Sequence, residues 1–521
     1  MRRTLLAAAL LASTAANAQT FRWANDGDVN SMDPYARQET FLLSFMANVY
    51  EPLVRRNREL KVEPALAARW EQTAPTVWRF HLRDNVRFSD GTPFTADDVV
   101  FSIIRARSQG SNVAGTLASI KEARKVDDRT VDIETHVPNP IFLEEITGIG
   151  MMSRAWAERN NATRSADLTT REENFATRNA MGTGPFLLVS REPDRRTVLA
   201  PNPGWWDRPE HNLQRVEFNV IANDATRIAA LISGEVDMVY TVPPQDTDRL
   251  ARTPNLRVLQ QAELRTIFLG FDQMRPELLK SDVRGRNPFQ DLRVRQAVNL
   301  AIDRPAIVRS VMRGQARATT VMNGPGVNGF VEAEDRVTAA NPDQARRLLA
   351  EAGFPNGFGV TLDCPNDRYV NDEAICTAVV SMLARIGIRV TLNAQPRARY
   401  FAEILGPRYQ TSFYMLGWTP NTYDAQNTFF NIMATRQADR GLFNVGGWSN
   451  ARFDELTTQM AVETDPARRT DMIAEATRIH LEQVGHVPLH QQTVVWAART
   501  NVQLVQQADN WFPLRYVRIA N

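Results

Sequence analysis

The residues best suited to chemistry lie in two short polar stretches. The first is Gly417-Trp418-Thr419-Pro420-Asn421-Thr422-Tyr423-Asp424, which follows the apolar run Phe413-Tyr414-Met415-Leu416. Trp418 and Tyr423 offer broad amphipathic faces, while Asn421, Thr422 and Asp424 offer donors and acceptors. That mix orients a small ligand while excluding water from it. The second is Pro365-Asn366-Asp367-Arg368-Tyr369-Val370-Asn371, bracketed by Cys364 and Cys376. Arg368 carries the planar fork that suits a carboxylate or phosphate-like group, and Asn366 stands beside it. The chemistry in view is non-covalent capture of a polar solute. Each residue also has a plainer reading: Trp418 as core, Asp424 as the cap of a helix running through Phe429, and Arg368 as a surface partner of Asp367 or Asp372.

Catalytic constellations are harder to assemble. A secreted hydrolase would need a carboxylate pair such as Asp97/Asp98 or Glu144/Glu145. Adjacent residues on a helix point about 100° apart and do not face one another, so neither pair makes an acid/base dyad. Gly-x-Ser-x-Gly and His-Glu-x-x-His motifs are absent from the sequence. His81, His136, His211, His480, His486 and His490 lack metal-ligand spacing, so neither a metal site nor a cofactor is expected.

The elements that must hold the two polar stretches can be read from periodicity and punctuation. Residues 412–416 form a buried strand ending at Gly417. Asp224 caps a helix bearing Ile228 and Leu231, Gly234 ends it, and 236–240 reads as a strand. Asn341-Pro342 opens a helix that Gly353 closes, the usual asymmetry of Pro inside the start and Gly past the end. A strand at 359–363, a helix at 372–385 and a strand at 388–392 follow. Nearer the start, 21–24 is strand-like, a helical face runs through Phe41, Phe45, Val49 and Tyr50, and Trp78, Phe80 and Leu82 alternate in a strand. Thr95, followed by Asp97 and Asp98, caps a helix with Val99, Val100 and Ile103. Strands alternating with helices imply an α/β fold with a largely parallel sheet, whose ligands sit at the carboxyl ends of strands, where both polar stretches fall.

The first 18 residues carry Arg2 and Arg3, an apolar stretch from Leu5 to Ala12, and Ala16-Asn17-Ala18. This is the pattern of a secretory signal cleaved after Ala18, with no cysteine following to carry a lipid. Losing Arg2 and Arg3 leaves 59 basic residues against 59 acidic ones, a neutral chain with no electrostatic footprint for nucleic acid. Lys61, Lys121, Lys125 and Lys280 are its lysines, so arginine carries the positive charge. A chain of 521 residues has room for several domains. In an oxidising compartment Cys364 and Cys376 are expected to form a disulfide, the alternative being two buried thiols.

Several segments in order resemble one family: NVYEPLVRRNRELKVEPALAARW, WRFHLRDNVRFSDGTPFTADDVVFSI, GTGPF, NPGWW, ATRIAALISGEVDMV, DLRVRQAVNLAIDRPAIVRSVMRGQA and GWTPNTYDAQN. They look like the extracytoplasmic solute-binding proteins of the peptide/nickel/opine class, which serve ATP-driven importers. The resemblance covers essentially the whole mature chain. It implies a non-catalytic, periplasmic, monomeric protein of two lobes with mixed sheets and an extra subdomain on the first lobe. By that similarity lobe I comprises 19–65, 183–280 and 485–521, the extra subdomain 66–182, and lobe II 281–484. Partners would be a small polar solute and the membrane permease subunits of the importer. Peptide-binding relatives hold the ligand's amino group with an aspartate where this chain has Asn421, an amide with dipoles but no countercharge. Asp424 would then stand in, and a sugar-containing or opine-like solute enters consideration beside peptides. The matching ligand-facing segment of the first lobe is Glu39-Thr40-Phe41. A hydrolase, and a sensor or chaperone on the same scaffold, are the alternative functions.

Overall fold

Two long strands carry the architecture. Leu256–Phe271 and His486–Arg499 pair antiparallel along most of their length. His486–Arg499 is buried almost throughout, the pattern of a strand covered on both faces. The register of the pair slips between Ala262 and Thr266, so Glu263, Leu264 and Arg265 bulge out of the ladder. The computed structural model describes residues 19–168, 172–405, 408–437 and 440–520. The stretch 1–18, read above as a secretory signal, lies outside the described residues.

On one side the long pair is extended by Met238–Tyr240, Thr20–Asn25, Arg215–Val220, Arg196–Pro201 and Phe186–Glu192. On the other it is extended by Phe413–Trp418, Gly359–Pro365 and Arg389–Gln395. The hydrophobic core divides accordingly. One body packs around Trp23, Phe45, Phe218 and Trp496, the other around Phe289, Leu362, Ile375 and Phe413. The result is two lobes joined by strands common to both.

The sheet is mixed rather than largely parallel. Thr20–Asn25 runs parallel to both its neighbours, and so does Gly359–Pro365. Every neighbour of the long pair is antiparallel to it. Helix and strand alternation reports only strands joined through helices; strands that cross between lobes enter against that direction.

A separate four-stranded antiparallel sheet, Ala67–Ala74, Val77–Leu82, Thr130–Thr135 and Ile120–Asp127, forms the extra subdomain with the helix Ala96–Ala106. That helix starts at the expected capping box, in which Thr95 and Asp98 satisfy each other's backbone amides, a device worth about 1 kcal/mol. The helix Thr40–Met46 stops earlier than the periodicity suggests. Past its end, the carbonyls of Asn48 and Val49 accept from the amides of Phe186 and Gly184, which turns the chain away from the helix axis.

Gly359–Pro365 and Phe413–Trp418 run parallel, so the two polar loops leave the same edge of the sheet. Cys364 and Cys376 are bonded to each other, tying the end of the first strand to the helix Asp372–Ala384.

Candidate functional site

The two loops meet through Tyr369. Its hydroxyl donates to the Gly417 carbonyl at 3.4 Å, and a side chain at position 417 would meet its ring at 2.8 Å, which explains the glycine. Trp418 Nε1 donates to Asn427 Oδ1 at 3.0 Å, and Asn427 Nδ2 donates to Asn421 Oδ1 at 2.7 Å. The Trp418 ring packs on Phe443 with centroids 4.9 Å apart. The hydrogen bonds set the loop's shape before any ligand arrives, lowering the ordering cost of binding.

Asp424 does not face open space. It caps the helix Ala425–Thr428, and its two oxygens take Arg469 Nη2 at 2.6 Å and Nη1 at 2.8 Å, with Asn328 Nδ2 at 2.7 Å. With 1% exposure and every position filled, it has nothing left for an ammonium. Tyr423, at φ 58°, sits in the left-handed region that side chains rarely adopt. Its hydroxyl donates to Asp509 Oδ2 at 2.5 Å, and the Arg56 guanidinium lies 3.6 Å over its ring. Arg56 and Asp509 belong to the first body's segments and Tyr423 to the second's loop, so this contact spans the seam.

Arg368 lies half-buried, its loop turned by the amides of Arg368 and Tyr369 donating to Asp372 Oδ2. Among the described residues its guanidinium makes no ion pair; it rests 5.1 Å from the Tyr369 ring centroid. Burial, then the neighbouring Arg265, hold its pKa below the usual arginine value, with Glu39 and Glu263 pulling the other way. Glu263 is 2% exposed, and among the described residues neither of its oxygens accepts a hydrogen bond. Its one ion pair is Arg265 Nη2 at 3.2 Å, and burial raises its pKa. Glu39 is exposed, with Oε2 capping the helix Thr40–Met46 through Leu42 N at 3.1 Å. Asn366 is exposed, Thr40 half-buried, and Phe41 is packed among Trp23, Phe218 and Tyr240.

A cavity of about 150 Å³ opens beside Tyr423 and Asp509. Its walls come from the helix Thr40–Met46, the segment 144–149 of the extra subdomain, Thr419, Asn421 and Tyr423, and the C-terminal segment around Trp511. Thr40, Asn421 and Tyr423 thus line one space, while Trp418, Asn366, Arg368, Glu39, Phe41 and Asp424 do not line it. Sequence reasoning missed Glu263, Arg265, Arg56 and Asp509. A signal existed for the first two: Glu-Leu-Arg interrupts a long strand-like run. Among the described residues no cluster of His, Cys, Asp and Glu could hold a metal ion, and no helix is long and apolar enough to cross a membrane.

The carboxylate pairs of the hydrolase reading are engaged separately. Glu144 pairs with Arg56 at 2.5 Å, and Glu145 accepts from Ser119 and Asn139. Asp97 pairs with Lys125 at 2.7 Å, and Asp98 closes the capping box.

Two bodies sharing crossing strands, with two polar loops leaving the same edge of the sheet, have the architecture of a solute-binding protein. The solved chains of similar fold agree. The periplasmic binding protein DppA from Helicobacter pylori, in complex with the peptide STSA, has a TM-score of 0.78 at 22% identity, covering 96% of this chain and 98% of that one. AgaA from A. tumefacien R10, in complex with agropinic acid, has a TM-score of 0.77 at 22% identity, covering 96% and 99%. Glutathione-binding protein GsiB of Shigella flexneri serotype 5b (strain 8401) is 24% identical over 505 residues, 95% of this chain and 94% of the relative. The chain belongs to the bacterial extracellular solute-binding proteins of family 5, whose middle region matches residues 61–440. It is a solute-binding component of an ATP-driven importer, not an enzyme. The hydrolase alternative finds no support.

Proposed function

We propose that the protein works in the periplasm as a monomer, after loss of residues 1–18, and closes its lobes on a small solute bearing both a carboxylate and an amino group, peptide-like or opine-like. The lobe limits follow the sequence reading, with 281–484 as lobe II. The carrying observation is a pair of charges with bonding capacity left over: among the described residues Arg368 makes no ion pair, and Glu263, though 3.2 Å from Arg265, accepts no hydrogen bond. Arg368 forks onto the carboxylate, while Glu263, with Glu39, supplies the countercharge that Asn421 lacks. Trp418, Asn421 and Tyr423 form the wall above. Contacts from both lobes favour the closed state, which is how a bound solute drives closure. The peptide, agropinic acid and glutathione named for the similar proteins all carry carboxylates, which supports the reading.

The test is mass spectrometry of what the natively purified protein releases on denaturation, followed by calorimetric titration of that compound. The expected compound carries a carboxylate and is recovered unaltered. Arg368→Ala should weaken its binding at least about thirtyfold, since truncating one partner of a desolvated charge pair costs about 2 kcal/mol or more. A compound without a carboxylate, or an unchanged affinity in Arg368→Ala, rejects the assignment.

A further inference from the structure

The cavity lined by Tyr423 and Asp509 has at its wall a carboxylate that makes no ion pair among the described residues. Three arginines line the same space, and each is already engaged. Arg55 pairs with Glu63 at 2.8 Å and Asp207 at 2.7 Å. Arg56 pairs with Glu144 at 2.5 Å, and Arg515 faces Glu63 at 3.9 Å and Tyr516 Oη at 2.7 Å. The other acids are engaged too. Glu51 accepts from Trp205, Trp206 and Thr183, and Asp509 from Tyr423 and Trp511 N. Glu145 differs. Its hydrogen bonds from Ser119 Oγ at 2.7 Å and Asn139 Nδ2 at 2.9 Å both fall on Oε2. Among the described residues Oε1 accepts none, and Glu145 makes no ion pair.

The approach to Glu145 is apolar. Leu43, Ala47, Val113, Ile149 and Trp511 line the same cavity. An apolar sleeve ending at one free carboxylate oxygen matches a chain with a hydrocarbon stem and a cationic tip.

We propose that this cavity receives a basic substituent of the bound solute, an alkylammonium or guanidinium on an apolar stem, and that Glu145 Oε1 accepts its hydrogen bond. The assignment rests on the reading that Arg368 holds the solute's carboxylate. Burial raises the empty site's Glu145 to about 7, with Asp424 adding to the rise. A cation entering the cavity favours the ionised form, so below pH 7 binding expels a proton. Preference for a cationic over a neutral substituent therefore grows about tenfold from pH 6 to pH 8, following the ionised fraction of a group with pKa near 7. The charged group from another element that acts on Glu145 is Asp424, held by Arg469; those sharing the cavity wall are Glu144 with Arg56, Asp509 with Tyr423, Glu51, Arg55 and Arg515. All are already paired.

The experiment titrates the full mature protein with four dipeptides: Ala-Lys, Ala-norleucine, Lys-Ala and norleucine-Ala. Lysine and norleucine differ at the tip only, and the α-amino group, common to both, cancels in their affinity ratio. The expected result is a preference for the lysine peptide of at least one order, in one arrangement or both, that shrinks at pH 6 and that Glu145→Gln levels. Gln keeps an acceptor for Ser119 and Asn139, and a thermal melt confirms the fold. Equal affinities for lysine and norleucine peptides in the unmodified protein overturn this assignment and leave the cleft reading standing. Binding of none of the four overturns the peptide-like form of the cleft reading and this assignment with it, and a lysine preference that survives Glu145→Gln overturns the role given to Glu145.

Discussion

Asp424 has two readings in the sequence, ligand contact and helix cap, and the geometry separates them. Its carboxylate is spread over Arg469, Asn328 and the amide of Gln426. Replacing it with alanine strands the Arg469 guanidinium in a site where both partners are nearly inaccessible, and leaves the helix uncapped. Breaking one side of a buried ion pair costs about 3 to 5 kcal/mol. Asp424→Ala should therefore lower the urea midpoint strongly. The same substitution at Asn421, which is exposed, should leave the unfolding free energy within about 0.5 kcal/mol of the parent and the midpoint nearly unmoved. Similar midpoints for the two variants would mean that the Arg469 pair is open in solution.

The loop 366–371 shows what an element inherits from its ends. At one end the disulfide joins Cys364 to Cys376; at the other Asn371, at φ 56°, turns the chain into the helix Asp372–Ala384. A crosslink closing so short a loop contributes roughly 3 kcal/mol in the chain-entropy picture. Reduction should lower the urea midpoint and also weaken solute binding, because Arg368 then has to be ordered by the ligand; intact affinity after reduction would place Arg368 outside the site. This element was legible in the sequence for local reasons. Gly359, the two cysteines and the apolar run of the helix each mark a boundary within a few residues. Glu263 and Arg265 were not legible, because their meaning comes from a register slip against a strand more distant in the chain. The sheet's mixed direction escaped for the same cause: pairing between distant strands leaves no mark in local periodicity.

At the scale of the molecule, the long strands couple the lobes, and they also carry a buried titratable group. His490 lies in His486–Arg499 opposite Ile267, with 0% exposure and no hydrogen bond to either ring nitrogen among the described residues. Burial lowers its pKa to about 4, against about 6.5 in an unfolded chain. The sign follows from proton counting. Between these values the unfolded chain binds a proton that the native one refuses, so the contribution of neutral His490 is fully present above pH 6.5 and is lost as pH falls toward 4. Buried acids work in the opposite direction. Burial raises Glu145 and Glu263, so the native state holds their protons more firmly and gains stability over part of the same interval. The total pH profile therefore does not isolate the histidine, but a difference does. Relative to His490→Leu, the parent should lose roughly 2 to 3 kcal/mol of unfolding free energy between pH 7 and pH 4.5, at about 1.4 kcal/mol per unit below pH 6.5. Urea titrations of both proteins at each pH give that difference directly. Parallel curves would show that His490 takes up its proton in the native state, which requires water or a countercharge within reach of the crossing strands.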